Sequence, residues 1–311
     1  MIDIVLVNWN SGSQLREALL SIVANHEGVV SQIVVVDNNS TDGSASNIDL
    51  GNCQVALSLI FNKLNIGFGA ACNQGAKLCV SEFILFLNPD TQLFRGSLSI
   101  PFEFMQTRDA SDVGIVGIKM LDSYGRVSRT CARFPTVLLF SAQALGLNKL
   151  FLLRSWGLQM KEWDHDYDRD VDQVIGAFFL VRSVLFEELK GFDERFFVYF
   201  EEVDVCYRAR KSGWRSIYLS SASAFHAGGG TSGQVKSKRL FYSLRSRLLY
   251  GFKHFSYFSA CILFGVTLFI EPFSRLFFTL KNRGFVDLGD ILRGYGMLFI
   301  NLPKILKNVR K

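Results

Sequence analysis

Asp37, Asp90, Glu201, Glu202 and His226 are the residues of this chain whose types and neighbours could do chemistry. Asp90 closes the run Phe83-Ile84-Leu85-Phe86-Leu87-Asn88-Pro89-Asp90, in which five apolar residues end in an amide, a proline and a carboxylate. Pro89 cannot donate to a strand ladder, so the chain turns there and presents Asp90 at a strand end. A hard divalent cation, bound by few protein carboxylates and by a diphosphate, is one use for such an acid. His226 precedes Gly228-Gly229-Gly230 and is a second candidate ligand, although a lone histidine is more often structural. Glu201-Glu202-Val203-Asp204 packs three carboxylates at a helix start, where the helix dipole favours ionised acids. Adjacent Glu201 and Glu202 point different ways, so one of them could deprotonate a hydroxyl nucleophile. A solvated helix N-terminus has the same sequence. Asp204 and Arg208, four apart, read as an ordinary ion pair.

These groups need a scaffold that brings them together. Asp3–Val7 reads as a buried strand ending at Asn8, Ile33–Val36 as a second ending at Asp37, and Val55–Phe61 as a third. Helical spacing follows Ser11-Gly12-Ser13 and again spans Phe68–Val80, before the central strand at Phe83. Strands alternating with helices predict βαβ units and a parallel sheet. The carboxyl ends of such strands share one crevice, so Asn8, Asp37 and Asp90 converge there. Each is also a residue favoured in turns. Together with Asn65-Ile66-Gly67-Phe68-Gly69 opening a helix, the three suggest a nucleotide site. Gly67 and Gly69 begin a GxGxxG pattern, but Cys72 stands at its third glycine and no acid follows at the required distance, which excludes a nicotinamide cofactor. Further on, the pattern predicts a strand at Val113–Ile118, a hairpin around Ser123-Tyr124-Gly125 and an irregular loop or lid over 129–170. It then predicts a strand at Gly176–Val181, helices from Ser183 and Glu201, and a short strand at Ser216–Leu219.

The 311 residues are 49% hydrophobic and include 29 Phe, which excludes a disordered chain. The net charge of +6 is unevenly spread: residues 236–311 hold 14 Lys and Arg against three acids, +11, and the first 235 residues carry −5. A basic tail with 11 of the 29 Phe suggests contact with anionic lipid. Its uncharged run, Tyr257–Ile270, is 14 residues, short of the roughly 20 a spanning helix needs. Amphipathic helices lying in the interface fit better; a helical cap on the chain's own core is the competing reading. The six cysteines are scattered without a CxxC pair, and Met1-Ile2-Asp3 leads into a strand without a basic leader. The expectation is a cytosolic body with reduced, buried thiols.

At this point the motifs match a known family. Val7-Asn8-Trp9-Asn10-Ser11, Val36-Asp37 through Ser44, Asn65–Gly69 with Asn73-Gly75-Ala76, and Leu87-Asn88-Pro89-Asp90 occur in order. Gly176–Leu180, Gly191-Phe192-Asp193-Glu194, Phe200–Arg208, His226 and Tyr242-Arg245-Arg247 follow. Over about residues 1–255 the chain resembles the family 2 glycosyltransferases, most closely the bacterial rhamnosyltransferase type. The resemblance implies a GT-A fold, a Rossmann-like, mostly parallel sheet flanked by helices. It also implies a catalytic domain over 1–235 and a helical membrane-associating region over 236–311.

The implied reaction is an inverting transfer of rhamnose or another hexose from a nucleotide-diphosphate donor. The acceptor would be lipid-linked or another saccharide of a cell-surface polysaccharide (O-antigen, capsule or exopolysaccharide), at the cytoplasmic face of the bacterial inner membrane and without nucleic acid. Asp37 would hold the nucleotide, with Asn8, Asn65 and Gly67 nearby. Asn88-Pro89-Asp90 falls at the family's DxD position, with Asn88 in place of the first Asp. Asp90, with His226, would therefore carry Mg2+ or Mn2+. Glu202 takes the place of the catalytic base, where the family usually has Asp. Trp163, Asp164, Arg129 and Glu201 are acceptor candidates. The competing functions are a polyprenyl-phosphate sugar synthase, whose lipid phosphate needs no base, and a membrane-bound scaffold with a decayed transferase domain.

Overall fold

The computed structural model of the protein describes residues 1–46, 48–51, 55–147, 157–228, 236–283 and 288–309. Its strands are β1 (Ile2–Asn8), β2 (Val30–Asp37), β3 (Ala56–Phe61), β4 (Phe83–Leu87), β5 (Thr91–Leu93), β6 (Val113–Leu121), β7 (Val127–Ser128), β8 (Arg169–Val171), β9 (Phe178–Arg182) and β10 (Arg215–His226). The helices among them are α1 (Ser13–Ala24), α2 (Phe68–Ala76), α3 (Ser99–Gln106), α4 (Val137–Ala144), α5 (Ser183–Glu188) and α6 (Glu201–Lys211).

Every residue of β1 and β4 is buried, as unbroken apolar runs require when both sheet faces are covered. Alternate residues of β1 serve the two faces. Ile2, Ile4 and Leu6 join Leu15, Ala18, Leu19 and Ile22 of α1 in one core. On the other face α2 comes so close that a β-carbon on Gly75 would lie 2.5 Å from Val5 Cγ1. Only glycine permits that approach.

The sheet runs β3-β2-β1-β4-β9-β6-β10-β5, with β7 on β6 and β8 on β10. It is parallel across β3-β2-β1-β4, the βαβ part legible from the strand–helix alternation. Antiparallel pairing enters at β9, which runs against both β4 and β6, and recurs where β5 runs against β10. The hairpin expected near Tyr124 joins β6 to β7. The strand expected at Ser216–Leu219 extends to His226, because its pairing with β6 shifts between Leu219 and Ser223 and then resumes. A bulge of that kind absorbs the polar Ser220-Ser221 and hides the strand's length from its hydrophobic pattern. The irregular region contains α4, capped by Thr136, whose hydroxyl accepts from the Leu139 amide at 3.2 Å.

The chain divides into two compact units: residues 1–132, 163–194 and 201–231 hold the sheet, and 133–162, 195–200 and 232–311 form the second. The second unit is helical, with α7 (Lys236–His254), α8 (Tyr257–Gly265), a π-helical turn at Val266–Ile270, α9 (Glu271–Arg283) and α10 (Leu288–Val309). From Tyr257 to Leu280 the helix is long and apolar enough to cross a membrane. Yet Glu271 is buried in its middle, bonded by Arg247 of α7 and by Arg275, whose Nε donates at 2.9 Å. Phe258, Ile262, Phe269, Phe273, Phe277 and Leu280 are exposed along it.

Candidate active site

The carboxyl ends of β1 and β2 lie side by side because Asn8 pairs with Asp37 in the ladder. Both side chains are buried, and Nδ2 of Asn8 donates to Oδ1 of Asp37 at 2.7 Å. The same amide lies 2.8 Å from Ser44 Oγ and 3.0 Å from Ser40 Oγ, and the Ser11 hydroxyl donates to Oδ1 of Asn8. The Ser40 amide donates to the other Asp37 oxygen at 3.0 Å. Each oxygen therefore has one bond and retains acceptor capacity. Asn8 thus aims Asp37 and stiffens the turn after it.

Next to Asp37, buried Asn38 ties this turn to the start of α2. Its Nδ2 donates to Asn65 Oδ1 at 3.0 Å and to the Gly67 carbonyl at 3.2 Å, while its Oδ1 accepts from the Ile66 amide at 3.1 Å. Asn65 in turn accepts from the Gly67 amide at 2.9 Å. Asn38 is the organising residue that the sequence reading passed over. Its one signal was its place in an Asp-Asn-Asn turn directly after a strand.

Beyond β4 the chain turns as Pro89 demands: Asn88 donates its amide to Ala177 O at 3.1 Å, and Thr91 N bonds back to Asn88 O. β5 then pairs antiparallel with β10, setting Thr91 opposite His226. Asp90 and His226 consequently face each other, Oδ1 to Nε2 at 3.4 Å, with both side chains largely buried. One oxygen and one imidazole nitrogen at that separation suit neighbouring positions around a single divalent ion. Among the described residues no third His, Cys, Asp or Glu joins them. Two protein donors leave several positions for phosphate oxygens and water, the usual arrangement for Mg2+ on a nucleotide.

α6 opens directly on the glutamates, after Tyr199 and Phe200, which both hold the left-handed backbone region at φ 70° and 75°. Two such residues in succession cost about 1–3 kcal/mol each, and such strain clusters at functional sites. Glu201 turns inward against α2, and a β-carbon on Gly69 would lie 3.2 Å from its Cγ. Its Oε1 is buried with no hydrogen-bond partner. Burial, then repulsion from Glu202, hold its carboxyl well above the usual range. Glu202 is half-buried, and its carboxyl carbon lies 3.9 Å from where a Gly176 β-carbon would stand. Burial raises its pKa too. Gly176 precedes Ala177, whose carbonyl receives the Asn88 amide, so Glu202 belongs to the same end of the sheet as the Asn88-Pro89-Asp90 turn. Asp204 is fully buried and bonded by Arg208 Nε at 2.7 Å, and Arg208 also donates to Leu189 O and Gly191 O.

The acceptor candidates divide. Trp163 is buried, stacked on His165 at 4.1 Å and edge-on to Tyr218. The Cys131 amide donates to His165 Nε2 at 3.1 Å, so Nδ1 carries the proton and bonds Trp163 O. Trp163 is thus part of a packed aromatic cluster. Arg129 and Asp164 form an ion pair with each other near the surface. Glu201 lies beside Glu202, under its helix turn.

The Asn8–Asp37 pair, the Asp90–His226 pair and a carboxyl of raised pKa lie at the carboxyl end of a mixed sheet, where open α/β sheets bind ligands. Residues 3–189 match the family model for Glycosyl transferase family 2, and the chain belongs to that family. It is a glycosyltransferase, and within the family it resembles rhamnosyltransferases. It is 27% identical over 252 residues, 77% of this chain and 80% of the relative, to the N-acetylglucosaminyl-diphospho-decaprenol L-rhamnosyltransferase of Mycobacterium tuberculosis. It is 28% identical to the rhamnosyltransferase WbbL of Escherichia coli K12, over 54% of this chain and 61% of that one. Among solved structures, the mannosyltransferase PcManGT of Pyrobaculum calidifontis, in complex with GDP-Man and Mn2+, superposes with a TM-score of 0.56. That match has 15% identity and covers 98% of this chain and 86% of the other. It shares the GT-A fold.

Proposed function

We propose that this enzyme transfers a hexose, rhamnose or a close relative, from a nucleotide-diphosphate sugar to a lipid-linked saccharide, with inversion, during assembly of a bacterial cell-surface polysaccharide. The observation that carries it is the placing of Glu202, with a raised pKa, at the end of the sheet where the Asp90 turn lies. The name of the Mycobacterium tuberculosis relative specifies an N-acetylglucosaminyl-diphospho-decaprenol acceptor, which supports the acceptor class.

In this reading Asp37 accepts from the nucleotide with its remaining lone pairs, held in aim by Asn8, while Asn65 and Gly67 line the turn that Asn38 braces. Asn88 orients the turn through its backbone. Asp90 and His226 hold a divalent cation, Mg2+ or Mn2+, which when bound would neutralise the diphosphate as it leaves. Glu202 removes the acceptor hydroxyl's proton as that oxygen attacks the anomeric carbon. A carboxylate of raised pKa is a stronger base than an ordinary glutamate, and the acid limb of kcat/KM should lie above the ordinary glutamate range. Residues 1–235 would carry the chemistry. Residues 236–311 would rest the enzyme on the anionic cytoplasmic face of the inner membrane.

The test is transfer by the purified full chain, with Mn2+, from a panel of dTDP-, UDP- and GDP-sugars to a polyprenyl-diphosphate-linked acceptor. Wild type should form product with inverted configuration. Glu202→Gln should lose about two to four orders of magnitude in kcat while its donor affinity stays near wild type. A variant with near-normal turnover would remove Glu202 from the role of base.

A further inference from the structure

We propose that Arg245 of α7 is an anion-binding residue that receives the diphosphate of a polyprenyl-linked substrate. The inference rests on the reading above that the acceptor is lipid-linked, and it assigns the contact to the helical unit.

Arg245 is half-buried and makes no hydrogen bond to any described residue; its Nη1 is fully enclosed without an acceptor. Burial draws its pKa down, and among the described residues the one neighbour that offsets this is Tyr242, whose hydroxyl carries no charge at neutral pH. Contrast Arg247, two residues on, which is buried but bonded to Glu271. A guanidinium taken out of water without a partner is expensive and persists in a fold when a ligand supplies the missing charge. Its five donors in a planar fork match two phosphate oxygens at once.

The surroundings are built, not loose. Tyr242, one turn before Arg245, stacks on Phe197 at 4.6 Å and 17°. Ser246 donates its hydroxyl to Val198 O at 2.9 Å, fixing the 195–200 loop on this helix. Helix α7 carries six Lys and Arg and no acid in its 19 residues, so the local field favours an anion. The same unit exposes the Phe258–Leu280 stripe described above, a surface for hydrocarbon. An unpaired guanidinium and an apolar stripe on one helical unit match a ligand that is a diphosphate at one end and a prenyl chain at the other.

The experiment compares full-length wild type, Arg245→Lys and Arg245→Met in detergent, with farnesyl diphosphate, farnesol and inorganic pyrophosphate as probes. Farnesyl diphosphate should bind Arg245→Met about tenfold or more weakly than wild type, with Arg245→Lys between them, and farnesol should bind all three alike. The melting temperature of unliganded Arg245→Met should equal or exceed wild type, because a buried unpaired charge has been removed. Equal affinity of wild type and Arg245→Met for farnesyl diphosphate overturns the proposal, as does an unliganded Arg245→Met that melts several degrees lower. Pyrophosphate bound through Arg245 as tightly as farnesyl diphosphate would make the ligand a free anion and overturn the lipid assignment. Nucleotide sugars with Mn2+ should protect Arg245→Met as well as wild type. A wild type that answers to no nucleotide sugar, yet binds farnesyl diphosphate through Arg245, would overturn the transferase reading and uphold the anion site.

Discussion

Oδ1 of Asp90 lies 3.4 Å from Nε2 of His226, although 136 positions separate the two in the chain. The antiparallel register of β5 on β10 creates the pair, with Thr91 opposite His226. If both donors hold one cation at the diphosphate, removing either should act only when the metal is present. Asp90→Asn should weaken nucleotide-sugar binding in Mn2+ by about tenfold or more, and His226→Ala by less, since an ionised acceptor makes the stronger contact. With EDTA the variants and wild type should converge. Calorimetric titration in both conditions decides it, and the double variant should lose less than the sum of the two single losses. Losses that persist undiminished in EDTA would reduce the pair to a structural contact.

Glu201 predicts a pH dependence with a definite sign. The groups facing it are Glu202 and Asp204 on its own helix and Cys72 on α2, whose buried thiol is pushed further up by both glutamates. Asp204 is occupied by Arg208. A carboxyl whose folded pKa is raised is held neutral by the fold. Its stabilising contribution is complete below the unfolded value of about 4.5 and is lost as pH climbs through the folded value. Glu201→Gln cannot ionise and escapes that loss. Its melting temperature should therefore gain on wild type as pH rises above about 4.5, the direction the raised folded pKa sets. A difference that stays flat with pH would show that Glu201 does not titrate in this range.

How much of this was legible beforehand depended on how locally each feature is encoded. The unbroken runs of β1, β2 and β4 announce buried strands, and the residues that end them, Asn8, Asp37 and Asp90, could be placed at one end of a sheet. The helix beginning at Glu201 was legible from its acids and its 3.6-residue period. What lay out of reach were long-range facts. Nothing near His226 says that β10 runs through a bulge to pair with β5, and nothing in Glu201-Glu202 says that Glu201 faces inward onto Gly69. Trp163 looked available for an acceptor because its burial depends on His165 and Tyr218, and the latter lies 55 residues downstream. Arg245 is indistinguishable by composition from Arg247. Among the described residues their partners separate them: Glu271 accepts from Arg247, and no acid bonds Arg245.

The exposed stripe on the helix from Tyr257 carries the last prediction. Its 14-residue uncharged run is extended in the structure by α9 to a segment of 24 residues that is apolar enough to span. Spanning would carry Glu271 and Arg275 into hydrocarbon and strip Arg247 of its buried partner, at several kcal/mol. Lying in the interface keeps this cluster inside the protein and turns Phe258, Phe269, Phe273 and Phe277, each at least 62% exposed, toward acyl chains. Each Phe buried there contributes roughly 1.5–3 kcal/mol, so Phe273→Ser with Phe277→Ser should weaken binding to anionic liposomes by about a hundredfold or more. Neither residue belongs to the sheet unit, so soluble nucleotide-sugar binding should be unchanged. Alkaline carbonate should release the wild-type chain from membranes. Retention in the carbonate-washed pellet, with liposome binding indifferent to the two substitutions, would mean that the helix crosses the bilayer.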